Sequence, residues 1–210
     1  MEEEIHQPYR FSSAFFDKYP AMHERLSTLT EKRLTADIFK RLDGDIFDTE
    51  PKDDSSVKIV GLINSNRDYR YIDRRWLETH PDLMKWKVIV PKANGSGALG
   101  EAISTPLIGT PLIGYTQTFL GIGSFGSEQE AAACLKYVKS KLARVLLGIR
   151  KTTQNNPPYV WKYVPWQDFS SSSDIDWTQS ISDIDRQLYQ KYGLNEEEIA
   201  FIESNVKEME

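Results

Sequence analysis

Three glycines at a spacing used by nucleotide-binding loops follow a predicted strand. Gly121, Gly123 and Gly126 spell G-x-G-x-x-G between the run LIGYTQTFLGIG and a helical pattern. In dinucleotide sites such glycines let the backbone approach a pyrophosphate, and an acidic residue about 20 positions later binds the ribose. Here the helical pattern carries no acidic residue after Glu130, and the next strand candidate carries Lys162. We therefore interpret the glycines as a structural turn in which a strand reverses into a helix.

A second motif lies in the polar bend that follows the helical pattern. Residues 156–159 spell NPPY, the motif with which adenine-N6 methyltransferases bind and stack a flipped adenine. In those enzymes the motif ends a hydrophobic strand, whereas here it follows a basic helix end and Thr-Thr-Gln. Only one strand and one helix separate it from the glycines, which is too little for the sheet of such an enzyme. We interpret it as a proline-rich turn that opens a strand, YVWKYV.

Other catalytic chemistry has little support in the sequence. His6, His23 and His80 are scattered, and the single cysteine, Cys134, lies in an Ala-rich helical pattern. Neither a metal-ligand cluster nor a Ser-His-acid arrangement can be placed from these positions. Pro81-Asp82 lacks the acid-x-Lys that follows in many nucleases. We expect no catalytic residue, no metal and no cofactor in this chain, and a lone cysteine fits a reducing compartment.

Positive charge is concentrated in two segments. The formal net charge is −5, yet residues 58–98 carry 8 basic and 4 acidic side chains, and residues 136–162 carry 7 basic and none acidic. The flanking segments 1–57 and 163–210 are acidic, with net charges of −5 and −8. A chain polarised in this way can present a basic surface to a polyanion although its total charge is negative.

The basic segments also contain residue types that contact DNA. Lysines serve phosphates, whereas arginine reads guanine and asparagine or glutamine reads adenine in the major groove. We expect Lys92 and Lys151 to lie at phosphates. We expect Arg70, Arg74 and Gln154 to lie nearer the bases. The complete predicted set is Arg67, Arg70, Arg74, Arg75, Lys92, Asn94, Ser96, Arg150, Lys151, Gln154 and Asn155.

The helices and strands that carry these side chains can be predicted in part. The β-branched run 57–63 and the alternating run after it predict a hairpin, and residues 87–91 predict a third strand. Apolar residues spaced by three and four predict one long core helix over about 127–148, capped by a capping box at its start. The basic residues of that helix fall outside its apolar stripe, so we expect an exposed basic face. Two short acidic helices follow, over about 180–192 and 195–209.

These patterns predict an α+β fold with a mixed or antiparallel sheet, one long core helix and two short C-terminal helices. A polar connector at 49–56 is the best internal boundary. It divides a lead-in segment, residues 1–56, from a domain of residues 57–210. With 210 residues, of which 40% are hydrophobic, the chain can build a substantial core. It has no apolar run of membrane-spanning length and begins with acidic residues, so we expect a cytoplasmic protein without a membrane partner.

Several long phrases occur together in order over residues 57–210. They include VKIVGLINSNRDYRYIDRRWLE, KWKVIVPKANGSGALGE, YTQTFLGIGSFGSEQEAAACLKYVKSKLARVLLGI and SDIDWTQSISDIDRQLYQKYGLNEEEIAFIES. Together they resemble the C-terminal target-recognition region of bacterial type II restriction–modification proteins. In such proteins an adenine-N6 DNA methyltransferase, sometimes fused to a restriction endonuclease, precedes this region and contains the catalytic motifs.

The resemblance implies a specificity domain that binds double-stranded DNA and directs methylation or cleavage by a catalytic domain absent from this chain. The upstream methyltransferase or endonuclease domain would be its second partner. That domain would use S-adenosylmethionine, and Mg²⁺ if a nuclease is fused. Two alternatives stay open: a small S-adenosylmethionine-dependent adenine methyltransferase fragment that uses both motifs, and an assembly module whose acidic helices over 180–209 dock on a basic partner.

Overall fold

The computed structural model describes residues 1–26, 32–42, 44–93 and 98–209. The strands in this part of the chain are β1 (Ile5–His6), β2 (Ser56–Ile63), β3 (Asn66–Asp73), β4 (Trp86–Pro91), β5 (Leu107–Gly109), β6 (Ile113–Tyr115) and β7 (Phe119–Phe125). The α-helices are α1 (Ser13–Lys18), α2 (Met22–Arg25), α3 (Ile38–Leu42), α4 (Glu128–Lys139), α5 (Lys141–Arg150), α6 (Ile181–Tyr192) and α7 (Glu196–Asn205). Short 3-10 helices cover Glu2–Glu4, Arg74–Trp76 and Pro158–Tyr163.

The strands form two sheets, which together with the helices confirm the α+β class. One sheet has the antiparallel order β1-β7-β4-β5, and the other has the mixed order β3-β2-β6, in which β2 and β6 run parallel. The predicted hairpin is present as β2 and β3. Its tip residues Asn64 and Ser65 both have positive φ, of 51° and 64°. Two such residues match the right-handed strand twist, so this short turn sets the register of the hairpin.

The buried hydrophobic side chains form two clusters. Helix α4 packs on the four-stranded sheet, α5 and α6 pack against α4, and α7 packs against α5; Cys134 of α4 is fully buried in this cluster. The lead-in segment, whose fold the sequence leaves open, forms α1 to α3 and packs its aromatic residues against β2. Phe39 and Phe47 thus share a cluster with Val57 and Ile59. The short strand β1 joins the lead-in segment to the other sheet by pairing with β7.

The prediction of one continuous helix over 127–148 is wrong. Ser127 and Glu130 form the predicted capping box, but the helix stops at Ser140, whose ψ is 150°. The Ser140 hydroxyl accepts a hydrogen bond from Ala143 N at 3.2 Å and so caps α5. Asp185 of α6 also accepts hydrogen bonds from two backbone N–H groups in the first turn of α5, at 3.0 and 3.1 Å. These acceptors satisfy donors that a continuous helix would have bonded internally.

The predicted exposed basic face of this helical region is also wrong. Arg144 is only 2% exposed, and its guanidinium donates to the carbonyl oxygens of Lys139, Gly100 and Lys207. Lys141 is buried and forms an ion pair with Glu203. Lys136 Nζ donates to three consecutive carbonyl oxygens over residues 177–179. Much of the positive charge in this segment therefore holds the C-terminal elements in place.

The predicted strand YVWKYV is a 3-10 helix. Pro158 opens it, a position where the missing N–H of proline costs no hydrogen bond. Its β-branched and aromatic composition favours a strand, but Val160 and Trp161 fill the core instead. The two C-terminal helices are confirmed as α6 and α7. Asn195 and Glu198 form the second predicted capping box.

Among the residues that the structure describes, no helix is long and apolar enough to cross a membrane.

Candidate nucleic-acid interface

A groove of about 700 Å³ opens where the tip of the β2–β3 hairpin, the end of β4, the start of β7 and the bend after α5 meet. It brings together three of the predicted site residues, Arg67, Lys92 and Asn155. Its described lining contains no acidic side chain. The lining comprises Ala36, Leu62, Ser65, Arg67, Pro91, Lys92, Ala93, Thr105, Gln117, Thr118, Phe119, Thr153, Asn155, Pro157 and Tyr159. Six separate stretches of the chain thus converge on a surface with two positive charges.

Arg67 is held in place by two kinds of contact. Its guanidinium carbon lies 5.6 Å from the centroid of the Phe119 ring, within the range of a cation–π interaction. Its Nη2 donates to the carbonyl and hydroxyl oxygens of Thr105. The side chain is therefore pre-positioned, which reduces the conformational entropy that a ligand must overcome.

Lys92 is fixed by its backbone, and its side chain is partly exposed. Lys92 N donates to Thr118 O at 2.9 Å, and Lys92 O accepts from Asn156 N at 2.7 Å. Ala93 forms an isolated β-bridge with Asn155. These bonds join the end of β4 to the bend and place Lys92 beside Asn155. No carboxylate of the described residues forms an ion pair with Lys92, so its charge is open to an anion.

Sequence reasoning missed two groups in the groove, Gln117 and Tyr159. Gln117 belongs to the polar triplet Thr116–Thr118, which separates the apolar strands β6 and β7 and is the signal that could have revealed it. Tyr159 is 51% exposed, and its ring lines the groove. An exposed aromatic ring beside amide groups and cations provides stacking, base-edge and phosphate contacts in nucleic-acid sites.

The structure supports a structural role for NPPY. Asn156 is fully buried, and its Nδ2 donates to Pro91 O at 3.4 Å. The Asn156 backbone N–H, which donates to Lys92 O at 2.7 Å, fixes the bend against the end of β4, and the buried side-chain amide is not part of the groove lining. The adenine-binding role of such an asparagine needs an exposed amide, so this arrangement does not support the methyltransferase alternative.

Two other predicted DNA contacts lie outside the groove. Arg70 points to the opposite face of β3, where it pairs with Asp68 at 3.0 Å and its guanidinium carbon lies 5.8 Å from the ring centroid of Phe39. Lys151 is only 7% exposed and pairs with Glu101 at 3.3 Å, so its expected position on a DNA-facing surface is wrong. Burial in an internal ion pair removes a lysine from phosphate contact, and the sequence does not show which lysines are buried.

Arg74 and Arg75 form a separate surface at the other end of β3. Both are exposed beside a second cavity of about 500 Å³. Arg74 comes seven positions after Arg67, and an extended strand of that length spans about 23 Å. Arg75 pairs with Asp73 at 2.8 Å and lies over the ring of Trp76. The predicted arginines therefore do not form one cluster.

Two further predicted residues, Arg150 and Gln154, lie in or near the bend. Arg150 lies over the ring of Tyr163, with 5.2 Å between the guanidinium carbon and the ring centroid. Gln154 is exposed next to Asn155. Asn94 and Ser96 lie outside the described residues.

A buried ionic network joins the two sheets. The Asp82 carboxylate accepts hydrogen bonds from the hydroxyls of Tyr9 at 2.5 Å and Tyr115 at 2.8 Å, and its Oδ1 lies 2.7 Å from His80 Nδ1. Lys87 Nζ lies 3.5 Å from the same oxygen, and both charged side chains are fully buried. The network therefore links the lead-in segment to β4, to the residues just before β4, and to β6.

The surroundings of Asp82 and Lys87 shift the pKa of both groups. Burial alone raises the pKa of Asp82, but the hydrogen bond with His80 and the positive charge of Lys87 outweigh this effect, so the pKa lies below its usual value. Burial lowers the pKa of Lys87 to about 8, although Asp82 opposes that shift. The hydrogen bond and the opposite charge within the network therefore favour the charged form of each partner, whereas burial opposes it.

The depressed pKa of Asp82 predicts an acid-sensitive fold. A carboxyl with a lower pKa in the folded state stabilises the fold above its unfolded pKa of about 4, and this contribution is lost as the pH falls through the folded value. We expect the free energy of unfolding, measured by urea titration, to fall below about pH 4. Asp82→Asn should show a smaller acid loss than the wild type, and equal acid losses would contradict the assignment.

The glycine motif is explained by packing. Gly121 and Gly123 lie inside β7, so the expected turn at these two positions is wrong. A Cβ at Gly121 would lie 2.3 Å from Tyr115 Oη and 2.7 Å from Asp82 Oδ2. Gly123 has φ of 72° at a register shift between β4 and β7, which is typical of a β-bulge. Gly126 N donates to Glu130 Oε2 at 2.9 Å before α4.

Comparisons of this chain with protein-family models, with curated proteins and with solved structures give no match. The chemistry of the groove is therefore the basis for a functional inference.

Proposed function

We propose that this chain is a DNA target-recognition domain of a restriction–modification protein, which directs methylation or cleavage by a catalytic domain outside this chain. One observation carries the proposal. Arg67 and Lys92 line a groove whose described lining has no acidic side chain, beside the amide groups of Asn155 and Gln117. Lysine and arginine neutralise phosphates, and amides and guanidinium groups bond to base edges.

The two cations are suited to different contacts. Lys92 is a flexible point charge, which suits a phosphate. The guanidinium of Arg67 is held by Phe119 and Thr105, and its remaining N–H groups can contact two acceptors of a base or a phosphate together. With two cations and no carboxylate in its described lining, this face attracts DNA phosphates.

The resemblance to specificity regions supports the same function. In such proteins S-adenosylmethionine, and Mg²⁺ for a nuclease, act in a separate catalytic domain. This chain then contributes affinity and sequence preference, while the reacting base is handled elsewhere.

Replacing Arg67 and Lys92 together with Ala should weaken duplex binding by about tenfold or more at low salt and reduce the salt slope by about 2, because each phosphate contact contributes about 0.9 to that slope. The measurement is fluorescence anisotropy of the full chain with labelled duplexes, in salt from about 20 to 200 mM.

A matched control variant distinguishes a loss of contacts in the groove from a general effect of the lower positive charge. Lys40 and Lys85 are exposed and lie outside the groove, so replacing both with Ala removes the same charge. This control should keep most of the affinity. Equal losses in the two double variants, or no duplex binding by the wild type at low salt, would overturn the proposal.

A further inference from the structure

A second groove, of about 450 Å³, lies between α5 and α7 and is almost entirely apolar. The residues that line it are Leu142, Val145, Leu146, Leu194, Glu197, Glu198, Phe201 and Ile202. Leu142 and Ile202 are buried and form its floor. The two helices thus leave an open channel between them that their own packing does not fill.

Large apolar side chains are exposed in the groove and one helical turn beyond it. Phe201, which lines the groove, is 50% exposed, and Ile149, which lies beyond the lining, is 58% exposed. Ile149 follows Leu142, Val145 and Leu146 at helical spacing, so it extends the same stripe of α5 by one turn. Exposed apolar side chains on two neighbouring helices are typical of a protein-binding surface.

The rim of the groove is acidic. Helix α7 carries four glutamates and no Lys or Arg, and three of the glutamates lie in its first turn. Glu198 closes the capping box, and Glu203 pairs with Lys141. Glu196 and Glu197 form no ion pair with the described residues. Their charges are therefore available to a cationic partner.

We propose that this groove binds an amphipathic helix of a partner domain, whose apolar stripe is flanked by Lys or Arg. A helix laid in a groove places anchors at i, i+3, i+4 and i+7, a pattern that an elongated apolar channel accepts. A second copy of this chain is a poorer occupant, because in an isologous contact it would present the same acidic α7 and no Lys or Arg of that helix to Glu197. The inference is independent of the DNA-binding proposal, since it uses different residues.

The test uses a fluorescent synthetic helix of about 18 residues, with Leu at the four anchor positions and Lys on both flanks. A matched peptide has Glu in place of each Lys. We expect the Lys peptide to bind the full chain about tenfold or more tightly than the Glu peptide, and this difference to shrink as salt rises from about 50 to 500 mM. Glu196→Gln with Glu197→Gln should reduce the preference.

Variants locate the binding on the groove. Phe201→Ser and Ile149→Ser should each weaken binding of the Lys peptide by about tenfold, since each removes half-exposed apolar surface that the peptide covers. Met84 is 57% exposed and lies outside the groove, so Met84→Ser is the matched control and should leave binding unchanged. Thermal unfolding of each variant shows whether its fold is retained.

Three results would overturn the inference. The first is equal binding of the Lys and Glu peptides, and the second is no binding of either. The third is a dimer in light scattering that Phe201→Ser dissociates, since a second copy would then be the occupant.

Discussion

Asp82→Asn is expected to lower the free energy of unfolding by about 3–5 kcal/mol, because it leaves the ammonium of Lys87 buried without its counter-charge. The carboxylate is fully buried and receives hydrogen bonds from Tyr9 and Tyr115. An amide keeps the size of the side chain but carries no charge and brings two donors to a place where donors already converge. Urea titration at neutral pH, followed by circular dichroism, measures the loss.

A double variant shows whether the loss of stability comes from the unpaired charge of Lys87 or from the altered side chain at position 82. Adding Lys87→Met to Asp82→Asn removes the unpaired ammonium, so stability should recover in part. Lys87 Nζ also donates to the carbonyl oxygens of Asp82 and Ile113, which limits the recovery. A double variant less stable than Asp82→Asn alone would show that the ion pair is not the source of the loss.

Gly121→Ala is expected to cost about 3 kcal/mol or more, or to prevent folding, because a well-packed core has no room for an added methyl group. The new Cβ would meet Tyr115 Oη at 2.3 Å and Asp82 Oδ2 at 2.7 Å, distances that no real contact of this kind adopts. Strand β7 is paired on both sides, with β1 and β4, so the backbone cannot move away freely. Chemical denaturation gives the magnitude.

Gly126 provides the matched control within the same motif. Its Cβ would lie 3.6 Å from Glu130 Oε2, an ordinary contact, so Gly126→Ala should change stability by less than about 1 kcal/mol. Tyr115→Phe removes the hydroxyl that Gly121→Ala would strike, so the pair should be less than additive. Similar losses for Gly121→Ala and Gly126→Ala would instead favour a shared role for the motif, as in a cofactor loop.

Local features of the fold can be predicted from the sequence. The β2–β3 hairpin was predicted because the β-branched run 57–63 and the alternating run after it are neighbours in the chain. The capping boxes at Ser127 and Asn195 were visible because each joins residues only three positions apart. These elements, with the C-terminal helices, were sufficient to predict the α+β class.

Other features depend on contacts between residues that are far apart in the chain. The helix ends at Ser140 because Asp185, far along the chain, accepts hydrogen bonds from the N-terminus of α5. Arg144 is buried because carbonyl oxygens from three separate segments converge on it, although its helical position predicts exposure. Helical periodicity shows which residues share a face but does not show what covers that face.

The candidate DNA groove has the same origin. Arg67, Lys92 and Asn155 lie on a hairpin, a strand end and a bend, and only the pairing of β4 with β7 and with the bend brings them together. Lys151, in the same basic segment as Asn155, is instead turned inward to Glu101. Residue type and segment charge were enough to propose a basic surface. Which cations belong to that surface depends on the folded structure. A buried charge requires a partner, so the cations that are paired inside the protein are absent from the surface.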